Sequence, residues 1–277
     1  MASQPLKWHG GKSYLAKWIL SNFPPRDSYT HYLEPYAGGL SVLFAHDPEG
    51  KSEAVNDLNR GLSDFWYVLA NTPDRMLRML WGTPLAQHVW EDACAQVTAD
   101  SDRVRRATAF FIKYRQSRQG LGKDFVTPTR RVRRGMNENV SAYWSAIEGL
   151  PEAHERLKRV EIRSMPALKF INMHDHENAF FYLDTPYLHE TRATESDYEH
   201  EMSVDDHCEL LEKLLNLKGK FLLSGYWSTL YGKYARAGDW CGTWIDIDNK
   251  ASPKKSKDKK TEYLFSNYTP GITHDAV

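Results

Sequence analysis

Cysteine is scarce in this chain. Its three cysteines, Cys94, Cys208 and Cys241, stand far apart, so neither a disulfide framework nor a zinc knuckle has its ligands. Reduced thiols in a cytoplasmic protein are the expectation. No apolar run approaches the roughly 18 residues that a membrane span needs. The opening residues, from Met1 to Ser13, lack the apolar core of a signal peptide. A GxGxxG fingerprint is absent, which argues against a nicotinamide dinucleotide site. Gly11-Lys12-Ser13 invites a phosphate-loop reading, but that motif needs a glycine where Leu6 stands. Nucleotide hydrolysis is therefore not expected.

Net charge is also lacking, with 36 basic and 36 acidic side chains. The balance hides an asymmetry. Between Arg103 and Arg134 lie eleven basic residues: Arg103, Arg105, Arg106, Lys113, Arg115, Arg118, Lys123, Arg130, Arg131, Arg133 and Arg134. Asp124 is the only acid among them. A second block, Lys250 to Lys260, holds six lysines against Asp258. Charge runs are commonly solvated faces. Two separate blocks, the first interleaved with Phe110, Phe111, Tyr114 and Phe125, point to a polyanion partner. The hydrophobic share of 41% is that of an ordinary globular protein, and 277 residues suit one large domain or a core with an insertion.

Strand-length apolar runs alternate with helical patterns. Strands are predicted at His31–Tyr36, Glu53–Asn56, Val160–Arg163, Phe180–Asp184, Lys220–Ser224, Thr243–Ile247 and Glu262–Asn267. Helices are predicted at Lys12–Asn22, Gly39–Ala45, Asn59–Leu69, Val204–Leu217 and Ser228–Ala237, with Ser203 and Asp206 as a start signal. The alternation implies an α/β fold with a mostly parallel, doubly wound sheet. The last two strands have only the lysine-rich loop between them and should form an antiparallel hairpin. From Ser63 to Leu157 no buried strand is evident. That interruption reads as an inserted, mostly helical subdomain at 63–156, with residues 1–62 and 157–277 forming the core domain.

Chemistry concentrates at the strand ends. Asp184-Thr185-Pro186-Tyr187 follows the apolar run Ala179–Leu183, and in open α/β sheets ligands gather at the carboxyl ends of strands. An acid beside a rigid proline and an aromatic ring can accept from an exocyclic amine and stack on its base. A plain Asp-initiated turn fits the same residues. Glu34-Pro35-Tyr36-Ala37-Gly38-Gly39 follows the first strand, where small residues let backbone amides approach a ligand. Asp57 stands about twenty residues on, a spacing that suits a carboxylate holding a ribose or one capping the next helix. Trp8 and Lys12, around Gly10-Gly11, suit closure over a charged cofactor.

Taken in order, Lys7-Trp8-His9-Gly10-Gly11-Lys12, Leu33 to Gly39, Val55-Asn56-Asp57, an inserted region and Tyr182 to Tyr187 resemble the Dam-like DNA adenine-N6 methyltransferases. The resemblance covers nearly the whole chain, and the stretch from Arg133 to Leu157 looks like that of phage and prophage members. It implies a Rossmann-like, seven-stranded methyltransferase sheet with an antiparallel last hairpin and an inserted DNA-recognition subdomain. It also implies S-adenosylmethionine as cofactor, no metal, double-stranded DNA as partner and a monomer in a bacterial or phage-infected cell.

By that resemblance, Trp8 and Lys12 contact the cofactor. Glu34, Pro35, Tyr36, Ala37, Gly38 and Gly39 surround its methionine part, and Asp57 holds its ribose. Asp184, Thr185, Pro186 and Tyr187 match the catalytic Asp-Pro-Pro-Tyr, with Asp184 also near the cofactor. Thr185 replaces the usual proline, yet the chemistry needs its carbonyl and Pro186 still favours an extended backbone there. Many members carry an Asp near Ser164 and Met165; here the adenine contact falls to Ser164 or backbone groups. Arg115, Arg118, Lys123, Arg130, Arg131, Arg133 and Arg134 are candidate phosphate or guanine contacts. Asn137 and Asn139 suit either adenine contacts or helix caps. Lys254, Lys255, Lys257 and Lys259 are expected to grip the DNA backbone. Cytosine-N4 methylation and a DNA-binding relative without catalysis are the competing readings.

Overall fold

The computed structural model describes residues 4–8, 10–188, 202–248 and 259–271. In chain order its elements are α1 (Ala16–Ser21), β1 (His31–Glu34), α2 (Ser41–Ala45), β2 (Ser52–Asn56), α3 (Arg60–Asn71), α4 (Pro73–Trp81), α5 (Gln87–Ala99) and α6 (Arg103–Arg115). A short pair, β3 (Val132–Arg133) and β4 (Met136–Asn137), precedes α7 (Glu138–Glu148), α8 (Leu150–Leu157), β5 (Val160–Arg163) and α9 (Ala167–His174). Then come β6 (Ala179–Asp184), α10 (Val204–Leu215), β7 (Lys220–Gly225), α11 (Thr229–Ala237), β8 (Cys241–Asp248) and β9 (Lys259–Ser266).

Among the described residues the large sheet has seven strands in the order β5-β2-β1-β6-β7-β9-β8. β1 runs parallel to both β2 and β6, and β6 runs parallel to β7. β9 is antiparallel to β7 and to β8. This is the α/β sheet with a reversed last hairpin that the alternating pattern predicted. No described helix is long and apolar enough to cross a membrane.

The chain separates into two compact units. One comprises residues 1–16, 37–47 and 56–164; the other comprises 17–36, 48–55 and 165–277. In the first, helices α3 to α8 enclose an aromatic core. Phe65 stacks near Phe110 and Phe111 at 6.3 and 5.9 Å, and Phe111 meets Tyr143 at 6.2 Å. Asp64 in α3 takes Arg103 and Arg106 of α6 at 3.2 and 2.8 Å. Asp102 caps α6 and pairs with Arg75 at 2.7 Å. In the second, the β strands bury Leu33, Ala54, Phe181, Leu183, Phe221, Leu223 and Phe265 against Phe170, Ile171, Leu210, Leu211 and Leu214 of α9 and α10.

Several elements differ from the sequence expectation for local reasons. β1 stops at Glu34 because Pro35 has no N–H to extend the ladder. The helix predicted from Lys12 starts only at Ala16, and the one predicted from Gly39 starts at Ser41. Helix α9 was not anticipated, since its eight residues are shorter than a clear helical repeat. The β3–β4 pair was missed as well. Its turn, Arg134-Gly135, has φ of 55° and 74°, the doubly left-handed form that joins two strands through two residues.

Helix α10 carries the predicted start signal in full: Ser203 accepts from the Asp206 N–H at 3.1 Å, and Asp206 accepts from the Ser203 N–H at 2.8 Å. The Ser203 hydroxyl, followed by its N–H, holds the Asp206 carboxyl below the ordinary carboxylate value. Ser203→Ala is expected to cost about 1 kcal/mol in urea unfolding at neutral pH. A depressed acid stabilises above its unfolded pKa. The cost should therefore shrink as pH falls from about 4 through the lowered Asp206 value, and a cost constant to pH 2 would contradict this account.

Candidate active site

The turn after β1 is bound to the end of β2 and the start of α3. Ala37 N–H donates to the Asn56 carbonyl at 2.9 Å. Gly38 N–H donates to Asp57 Oδ2 at 2.9 Å, while Asp57 Oδ1 accepts the Asn59 N–H at 2.8 Å. Each Asp57 oxygen thus accepts a backbone N–H, which fixes the carboxylate beside the turn. The Trp66 indole donates to the Gly38 carbonyl at 3.1 Å. Gly38 and Leu40 have φ of 48° and 57°, so the turn includes one non-glycine residue in a left-handed conformation that costs roughly 1–2 kcal/mol. That conformation survives because the surrounding bonds fix it.

Trp8 closes over this turn. A Cβ added to Gly38 would come within 3.3 Å of the Trp8 ring, and one on Gly39 would meet Trp8 Cβ at 2.9 Å and collide with Gln4 Nε2. Trp8 in turn packs on Phe110 at 5.9 Å and Tyr114 at 4.8 Å. Gln4 accepts from the Ser41 hydroxyl at 2.9 Å. Lys12 is buried. The neighbouring Lys7 is held below the ordinary lysine value, first by burial and then by Arg115. Asp57 N–H reaches the Arg163 carbonyl at 3.3 Å, next to Ser164, which is exposed. These contacts lie within the first unit.

The second unit carries the acid motif. Glu34 ends β1, is buried, and accepts the Tyr32 hydroxyl at 2.7 Å. Burial raises the Tyr36 hydroxyl above its ordinary value. Pro35 is buried and Met165 packs on the sheet core. Asp184 ends β6 and is half-buried, opposite Ser224 of β7 in register. Thr185 is buried with its hydroxyl 3.5 Å from the Tyr231 hydroxyl, which lies 3.0 Å from His207 Nδ1. Burial pushes Tyr231 up to about 12. Pro186 is half-buried. Tyr187 donates its hydroxyl to Glu262 Oε1 at 2.6 Å and packs on Tyr226 at 4.4 Å.

The basic segment divides by role. Arg115 is half-buried against the Ala142 carbonyl at 2.8 Å, and desolvation lowers its pKa to about 10. Arg134 pairs with Glu148 at 2.8 Å and with the Ser145 hydroxyl at 2.9 Å. Asn137 caps α7 and donates to the Thr129 carbonyl at 3.1 Å; Asn139 donates to the Thr127 carbonyl at 3.0 Å. Arg118, Lys123, Arg130, Arg131 and Arg133 are exposed, the last two on or beside the β3–β4 pair with Val132. Lys254, Lys255 and Lys257 lie outside the described residues, and Lys259 opens β9.

Sequence reasoning missed Gln4, Leu40, Trp66, Ser224, Tyr226 and Glu262. One signal was readable: Glu262 shares the inward face of its strand with Leu264, an acid where an apolar residue is expected.

The profile of the D12 class N6 adenine-specific DNA methyltransferase family matches residues 8–133 and 124–240. The chain belongs to this family. The matched residues run from Trp8 through the Asp57 turn to the acid motif and beyond β7, so they include most of the residues grouped above. For this methyltransferase the adenine class of target replaces the cytosine alternative. A comparison with curated proteins finds no match.

Packing around the turn makes a stability test. Gly39→Ala must displace Trp8 Cβ, a backbone-near atom that cannot swing away as the Gln4 amide can. A loss of about 1–3 kcal/mol in chemical denaturation is expected, as for an overpacked core. An unchanged unfolding midpoint would show that the turn is loosely packed.

Proposed function

We propose that this methyltransferase transfers a methyl group from S-adenosylmethionine to the N6 amine of a target adenine flipped out of duplex DNA. The observation that carries the reading is the acid motif at the carboxyl end of β6, with Asp184 half-exposed and Tyr187 fixed at its hydroxyl, in a chain of the adenine-specific family.

The residues around the turn suit this cofactor. Gly39 has no room for a side chain, Gly38 takes a left-handed backbone, and two backbone N–H groups fix the Asp57 carboxylate beside them. That set fits a ligand bearing a hydroxyl pair beside a close backbone approach. Asp57 would hold the ribose. Glu34, Pro35, Tyr36, Ala37, Gly38 and Gly39 would surround the methionine part, with Trp8 and Lys12 closing over it. Ser164 and Met165 would face the adenine moiety. When bound, S-adenosylmethionine supplies an activated methyl group on a sulfonium.

The chain's own work is positioning and electrostatics. An adenine amine is a weak nucleophile because its lone pair is delocalised into the ring. Asp184 would accept one N–H and the Thr185 carbonyl the other, which drives the nitrogen toward tetrahedral geometry and frees the lone pair. Thr185 turns its hydroxyl toward Tyr231, so substitution of the usual proline leaves the carbonyl to do this work. Tyr187 offers the face on which a flipped base stacks. Exposed Arg118, Lys123, Arg130, Arg131 and Arg133, with the lysines before β9, suit phosphate contacts in the DNA.

Incubation with labelled cofactor and mixed-sequence duplex DNA should place label in N6-methyladenine; label in cytosine alone, or none, would sink the reading. Asp184→Ala should lower transfer by about 10²–10³-fold while calorimetry still detects cofactor binding. Near-native turnover in that variant would mean another group accepts the amine.

A further inference from the structure

The phenol of Tyr187 ends on a carboxylate that has no evident place in a sheet interior. Glu262 is 1% exposed on β9, in line with Leu264. Its Oε1 accepts two hydroxyls at 2.6 Å each, one from Tyr187 and one from Ser224. That length is characteristic of a hydroxyl bound to a carboxylate. Ser224 pairs with Asp184 across β6 and β7. One oxygen therefore links the loop bearing the acid motif to two strands. If the position served only the sheet, an apolar residue would fill it without the desolvation cost of a carboxylate.

Tyr226 completes the arrangement. Its ring lies 4.4 Å from that of Tyr187. A base sandwiched between two rings needs two van der Waals layers, about 7 Å, so the pair cannot clasp one. Tyr226 instead backs one side of Tyr187, and Lys260 Nζ lies 5.3 Å from the Tyr226 ring. A tyrosine turns about two side-chain torsions. A hydrogen bond at its tip and a ring against its side restrain both.

We propose that Glu262 is a positioning residue for methyl transfer: by holding the Tyr187 hydroxyl it sets the plane on which the target adenine stacks, with Tyr226 as the backing ring. The proposal rests on the reading of Tyr187 as the stacking face. It concerns a strand beyond the residues matched by the family profile, which end at 240.

The test uses the full chain, S-adenosylmethionine and genomic DNA free of N6-methyladenine, with product measured by mass spectrometry. Glu262→Ala and Tyr187→Phe should each lower kcat at least tenfold while KM for DNA changes less than threefold. The double variant should be no slower than the worse single variant, because both changes remove one bond. Glu262→Gln retains an acceptor and should recover kcat to within threefold of native. Ser224→Ala, which leaves the Tyr187 bond in place, should also stay within threefold and shows whether the effect belongs to the tyrosine or to the sheet.

Multiplicative losses in the double variant would overturn the proposal, as would equal losses in Ser224→Ala and Tyr187→Phe. If Glu262→Ala does not fold, a native kcat in Tyr187→Phe overturns it alone. An inactive native chain overturns the functional reading and this proposal together; an active native chain with Glu262→Ala at full rate overturns only this one.

Discussion

Parallel pairing of β1 with both β2 and β6 is the constraint on which the rest depends. Three strands running the same way must deliver their carboxyl ends to one edge of the sheet. Glu34 therefore ends β1 and Asp184 ends β6. These two acids are far apart in the chain, and no local signal assigns them to one edge. The edge itself is a consequence of hydrogen-bond direction. Local contacts then fix the acids: a tyrosine hydroxyl on Glu34 and, in the first unit, two backbone N–H groups on Asp57.

Charge in this protein reads differently in one dimension and in three. The segment from Arg103 to Arg134 looks like one continuous basic surface when only its own acids are counted. In the fold, Arg103 and Arg106 meet Asp64 of α3, and Arg134 meets Glu148 of α7. These partners lie outside the segment, so a local count could not find them. Arg115 has gone further and rests half-buried on a carbonyl. Arg118, Lys123, Arg130, Arg131 and Arg133 stay exposed on the β3–β4 pair and the stretch before it, and Arg105 stays exposed on α6.

What was legible in the sequence follows from how local its cause is. The strand cores of β6 and β7 are apolar runs, and the cap of α10 is spelled by Ser203 and Asp206, so both were readable. The left-handed Leu40 was not, because leucine carries no signal for a conformation that only surrounding bonds enforce. The β3–β4 turn was hidden for a similar reason, with arginine rather than asparagine or aspartate before the glycine. Of the site, the acid motif and the Asp57 turn could be named from residue type and order. The groups that hold them, Trp66 and Glu262, reach their partners across 28 and 75 residues, distances at which sequence pattern alone says little.

Those separations also differ in how much chain each contact must close. Asp57 meets Gly38 across 19 residues and Trp66 meets it across 28, so the turn beside β1 draws on nearby chain and closes a short loop. Tyr187 waits for Glu262 on β9, which follows β8 and enters the sheet between β7 and β8. Longer loops close more slowly and at greater entropic cost. A nascent chain that has reached only β7 already contains Asp184 and Tyr187 but lacks the acceptor for the phenol. The last strand thus supplies the group that holds the ring beside the acid motif.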